Sequence, residues 1–132
     1  MRKVKVIPCS GIGKVMGLIA RESVLQVTGE MMPDQTERLC LAHIVTGDDE
    51  VVEKIKDAPC ITLDGCAKCC AQKSVEAAGG HIKNKYRVID FMKKHRGEEH
   101  GTGRYLTEEG FQFVDELAKM MANDIVAIQE EV

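Results

Sequence analysis

The sequence predicts an α/β fold: three αβα layers, Rossmann-like, around a mostly parallel sheet. Three observations carry that expectation. Short β-branched runs recur along the chain, amphipathic helical stretches separate them, and small or acidic residues stand at the junctions. Strands alternating with helices imply a parallel sheet covered on both faces, with right-handed crossovers. At 132 residues the chain is long enough for one domain with its own core, spanning 1–132, and too short for two of ordinary size.

The elements follow in order. Lys3 to Pro8 reads as a strand, with Val4, Val6 and Ile7 supplying β-branched side chains. Cys9-Ser10-Gly11-Ile12-Gly13 is a small-residue turn. From Lys14 the pattern is helical, with Val15, Leu18, Ile19 and Leu25 on one face and Glu22 interrupting it. Gly29 to Glu37, with Pro33 and Asp34, reads as loop. Arg38 to Val45 is compatible with a short strand or a buried turn. Thr46-Gly47-Asp48-Asp49 starts a helix that runs through Val51, Val52 and Ile55 and stops before Pro59. Cys60 to Leu63 is a second strand. Asp64-Gly65 turns it into a helix from about Cys66 to Ala78, closed by Gly79-Gly80. Tyr86 to Phe91 reads as a third strand and His95 to Arg104 as a polar surface loop. Thr107-Glu108-Glu109 caps a long helix whose stripe is Phe111, Val114, Leu117, Met121, Ile125 and Ile128.

Composition narrows the function. Apolar residues at 44% and charged residues at 30% describe a soluble globular chain. A net charge of −3 gives no broad attraction to nucleic acid, and the basic run at Lys93-Lys94-His95-Arg96 is answered by Glu98-Glu99. No stretch approaches the roughly 18 apolar residues of a membrane span. The apolar stretch Val4 to Pro8 is too short for a signal-peptide core. A cytoplasmic protein that binds neither nucleic acid nor membrane is expected, as a monomer or a homodimer.

That compartment decides how the six cysteines read: Cys9, Cys40, Cys60, Cys66, Cys69 and Cys70. In a reducing cytosol they favour metal binding or thiol chemistry over disulfides. Cys66-Ala67-Lys68-Cys69-Cys70 is the strongest local signal. On a helix, Cys66 shares a face with Cys69 or Cys70, and at its N-terminus the dipole favours the thiolate. Cys9 follows the first strand as Cys66 follows the second, and functional groups of such folds gather at the carboxyl ends of strands. Cys60, on an apolar strand, reads as a core residue. His95 and His100 read as solvated, and His43 as a reserve ligand. Ser10-Gly11-Ile12-Gly13-Lys14 lacks the leading glycine and trailing hydroxyl of a Walker loop, and Val15 stands where a phosphatase-type cysteine loop needs arginine.

Three segments resemble the DGC-domain family: Pro8-Cys9-Ser10-Gly11, Cys40-Leu41-Ala42 and Leu63-Asp64-Gly65-Cys66-Ala67-Lys68-Cys69-Cys70-Ala71. The family is regarded as zinc-binding because it carries four chelating cysteines. By position the resemblance implies Cys9, Cys40, Cys66 and Cys70 as metal ligands. The family pattern places its next cysteine four residues after Asp-Gly-Cys, which selects Cys70; the additional Cys69 is a substitute for it. The expectation is a zinc protein with a structural, storage or delivery role. Two other readings stay open. One is a thiol enzyme of redox, sulfur-transfer or detoxification chemistry with Cys66 or Cys9 as nucleophile. The other is an Fe–S redox protein.

Overall fold

The computed structural model describes residues 3–9, 14–65 and 68–131. Four parallel strands form one sheet in the order β2-β1-β3-β4: β1 Val4–Cys9, β2 Thr36–Arg38, β3 Pro59–Asp64 and β4 His81–Arg87. The helices are α1 Val15–Gln26, α2 Leu41–Val45, α3 Asp49–Asp57, α4 Cys70–Ala77, α5 Val88–Met92 and α6 Glu108–Glu130. This is the three-layer α/β architecture that the alternation of elements predicts.

Strand periodicity sorts the core onto two faces. Val4, Val6, Ile61 and Leu63 pack with Leu18, Ile19 and Val24 of α1 and with Phe113, Leu117, Met121 and Ile125 of α6. Ile7 and Cys60 point the other way, onto Ile44 of α2, Ile55 of α3, and Ala71 and Val75 of α4. Both central strands are buried on both faces, so they read as near-continuous apolar runs. Lys5 interrupts β1 because its ammonium reaches the Glu37 carboxylate at 2.7 Å, and Lys54 of α3 reaches the same carboxylate at 2.7 Å. These two contacts tie β1, β2 and α3 together and hold the Glu37 carboxyl below its ordinary range.

Several boundaries depart from the sequence expectation. The segment 29–37 is not all loop: α1 runs on into a π-helical turn, Val27–Met31, and Thr36–Arg38 pairs with Val4, Lys5 and Val6 as an edge strand. Three residues are too few to show a period. Arg38 to Val45 divides into the end of β2 and the short helix α2, with Cys40 as its N-cap residue. The third strand lies earlier than Tyr86 to Phe91. Strand β4 occupies the edge, where alternate exposure of His81, Lys83 and Lys85 hides it among polar residues. The apolar run after it, Val88-Ile89-Asp90-Phe91, forms α5 instead. Helix α6 is as long as expected, but its buried stripe passes through Gly110, Phe113, Val114 and Leu117, and Phe111 is exposed. Two residues before Phe113 is about 200° around the helix, on its outer side. The stripe lies on the chain's own sheet and on α1, where Gln26 donates to Asp115 at 2.6 Å.

Candidate metal centre

The strand order places β1 in the interior, with the chain running first to β2 on one side and then across to β3 on the other. The carboxyl ends of β1 and β3 therefore flank the topological switch point, where open α/β sheets form their ligand crevice. Cys9 ends β1 and Asp64 ends β3. The two are paired in register and so project on the same face of the sheet.

Asp64 is 1% exposed, and its carboxylate accepts from the backbone N–H groups of Ala71 at 2.7 Å and Gln72 at 3.2 Å. It caps α4 from the end of the preceding strand. Burial pushes its carboxyl above the ordinary range, and the two N–H donors pull it partly back. Gly65 serves a different need. A Cβ there would meet the backbone of α1, at 3.0 Å from Gly17 N and 3.1 Å from Gly17 Cα. The glycine is thus required by close approach of α1 to the end of β3, where the sequence suggests only a turn.

The expected helix start at Cys66 is corrected. Helix α4 begins at Cys70, and Cys69 before it is left-handed, with φ 55° and ψ 48°. Cys69 and Cys70 therefore do not continue a helical face from residue 66, and the helix N-terminus belongs to Cys70 under the Asp64 cap. Cys66 and the turn residues 10–13 lie outside the described residues. Cys69 is half-buried and lies against Arg87 at the end of β4. Asp90, bonded to Arg87 at 2.7 and 2.9 Å, chiefly holds that guanidinium above its usual range, and Cys69 adds to the effect. Sequence reasoning did not single out Arg87.

Cys40 is exposed at the head of α2. It shares with Cys9 a cavity of about 710 Å³ over the ends of β1 and β2, where Arg21, Arg38, Lys54 and His43 also line the wall. Cys60 is fully buried in β3, as its apolar context suggests, and burial pushes its thiol up to about 11. Four thiols thus gather along the carboxyl edge of the sheet on three elements: Cys9 on β1, Cys40 at the head of α2, and Cys69 and Cys70 at the start of α4. Among the described residues no three of them bring their sulfur atoms within 4.8 Å of one another.

The family model described as the DGC domain matches residues 5–125 of the chain. The chain belongs to the DGC-domain family. No curated protein and no solved structure matches it. In this DGC domain the first two residues of the motif have architectural work: the aspartate caps α4 and the glycine admits α1. Both set where the cysteine-bearing connection leaves the sheet. No helix among the described residues is long and apolar enough to cross a membrane.

The histidines give one further correction. His95 and His100 are not solvated: His100 is 6% exposed, and the His95 ring stacks on Phe113 at 4.3 Å between centroids. Both sit beside Glu98, and the three ligand atoms lie within 4.8 Å of one another. The polar composition of 95–104 conceals this, because the burying partner, Phe113, comes from α6.

Proposed function

We propose that this DGC domain binds zinc through Cys9, Cys40, Cys66 and Cys70, with Cys69 as the substitute for Cys70, in a structural, storage or delivery role. The observation that carries the reading is that Cys9 and Asp64 end adjacent strands at the switch point and that Cys70 opens the helix Asp64 caps. Thiolates are the donors that soft and borderline metals select, and four of them suit tetrahedral Zn²⁺. The described thiols are in kind the right donors and come from three elements, β1, α2 and α4. Closing a shell around an ion would draw the β2–α2 and β3–α4 connections toward β1. Zinc would then clamp three segments that are far apart in sequence, so binding would raise stability. The Arg87 contact supports Cys70 over Cys69, since it gives the Cys69 sulfur a partner other than metal.

The test is metal analysis of anaerobically purified protein and of Cys9→Ser, Cys40→Ser, Cys66→Ser, Cys69→Ser and Cys70→Ser variants. About one thiolate-bound zinc per chain is expected, lost in the Cys9, Cys40, Cys66 and Cys70 variants and kept in Cys69→Ser. Protein that neither carries nor takes up thiolate-bound zinc refutes the reading, and coloured protein containing iron and sulfide replaces it with an Fe–S centre.

A second reading draws on the cavity shared by Cys9 and Cys40. Arg21, Arg38 and Lys54 in its wall suit a small anionic substrate, with Cys9 as the attacking thiol. Selective alkylation of Cys9, unchanged by added zinc, would favour it over the metal site.

A further inference from the structure

We propose a second metal site, separate from the cysteines: a divalent first-row transition ion held by His95, Glu98 and His100. Two imidazoles and a carboxylate are a donor set such ions accept, with room for water or a further ligand.

The geometry is close to that of a first shell. His95 Nδ1 lies 2.7 Å from Glu98 Oε2, and His100 Nε2 lies 3.8 Å from Glu98 Oε1. Ligand atoms about 2.1 Å from a tetrahedral ion are about 3.4 Å apart, so small side-chain rotations close the set. His100 Nε2 is buried and has no hydrogen-bond partner, a costly state that a metal bond would relieve.

The surroundings hold the rings in place. The His95 ring stacks on Phe113, and the His100 ring meets the same phenyl edge-on at 5.2 Å. The His100 carbonyl accepts from Thr107 N at 2.9 Å, and a Cβ at Gly110 would run into that carbonyl oxygen. His100 is thereby fixed against the start of α6. On the far side of the His95 ring, Nε2 lies 2.8 Å from Glu116 Oε2, just outside hydrogen-bond geometry. A carboxylate behind the non-ligating nitrogen is the usual outer partner of a metal-bound histidine. A cleft of about 350 Å³ beside Ile89, Met92 and Gly97 reaches His95, Glu98 and His100 and provides an entry path.

The site has no thiolate, which separates its test from that of the cysteine centre. Co²⁺ is titrated anaerobically into the full chain and into His95→Gln, Glu98→Gln and His100→Gln. Thiolate charge-transfer absorption reports cysteine ligation, and equilibrium dialysis reports total bound metal. Each variant is expected to bind about one equivalent less than the parent with thiolate absorption unchanged. Glu116→Gln is expected to weaken that equivalent about tenfold. Glu98→Gln, on a partly exposed side chain, keeps the test open should His100→Gln fail to fold. If the cysteines bind nothing, the His–Glu equivalent remains and the thiolate band is missing. Unchanged total stoichiometry in Glu98→Gln and in whichever histidine variants fold overturns the proposal.

Discussion

Substituting Gly65 by alanine isolates the architectural half of the Asp-Gly-Cys motif. The added Cβ would stand 3.0 Å from Gly17 N, 3.1 Å from Gly17 Cα and 3.1 Å from the Met16 carbonyl carbon. Ordinary contacts of this kind are about 3.4–4 Å, so α1 or the end of β3 must give by a few tenths of an ångström. All three opposing atoms are helix backbone, which cannot rotate out of the way as a side-chain tip would. Gly17 is itself buried, and the adjacent Leu18 and Ile19 are locked into the core against β1 and β3. Overpacking of this size costs about 1–3 kcal/mol. With an unfolding entropy of about 2.1 cal/mol/K per residue, the loss in Tm is about 4–11 °C for this chain. The control is Gly29→Ala. That residue is exposed in the π-helical turn, its Cβ would meet nothing within 4 Å, and its φ is not positive. There the same methyl restricts the unfolded chain and stabilises by about 0.4–1 kcal/mol. Thermal unfolding of both variants with a chelator present, so that metal does not contribute, gives opposite signs if the reasoning holds. An unchanged or raised Tm for Gly65→Ala would refute the close-approach account of the motif.

Three further outcomes are expected. Asp64→Ala leaves the Ala71 and Gln72 N–H groups without their acceptor and should cost about 1–2 kcal/mol, read as a fall in chelator-treated Tm; hydrogen exchange at those two amides should rise with it. Cys60, with its thiol near 11 against an ordinary 9.0, holds about a hundredfold less thiolate at pH 8. It should be the last cysteine alkylated, and only as the chain unfolds; mass-mapped labelling that finds it among the first is the contrary result. Glu37 is held below its ordinary 4.5 by Lys5 and then Lys54. The unfolded chain therefore takes up this proton first, so the stabilisation is whole above 4.5 and is lost as pH falls toward the folded value. Glu37→Gln should cost about 1–2 kcal/mol at neutral pH and flatten the acid limb of the stability curve, since Lys5 is partly buried while Lys54 and Glu37 are about a third exposed.

How much of this was legible in the sequence depended on whether the deciding contact was local. Strands β1 and β3 are bounded by their own residues: β-branched runs buried on both faces, closed by Cys9 and by Asp64-Gly65. Helix α3 carries its own cap, with Asp48 accepting from Glu50 and Val51. By contrast, β2 is a strand because Val4 to Val6 offer it a ladder, and β4 is a strand because β3 does. Neither announces itself by period, since one is three residues long and the other is a polar edge. Phe111 and Phe113 show the same limit within one helix. Either could begin an apolar stripe, and the position of α6 against α1 and the sheet selects Phe113.

The candidate sites divide in the same way. The cysteines were visible because thiols are rare in such a chain and two of them, Cys9 and Cys66, follow the strands that the sequence predicts, while Cys40 entered through the family resemblance. Their exact geometry was not, since a helix from Cys66 was the simplest continuation of Asp64-Gly65. What displaces that helix is Asp64 itself. A carboxylate fixed at the end of β3 can accept from Ala71 and Gln72 only if α4 starts near residue 70. Cys69 is then held before the helix, left-handed and against Arg87. The buried aspartate thus determines that Cys70 begins the helix and that Cys69 stands before it. The motif's acid therefore acts on the cysteines through the backbone: by accepting from Ala71 and Gln72 it makes Cys70 the first residue of α4 and leaves Cys69 outside the helix.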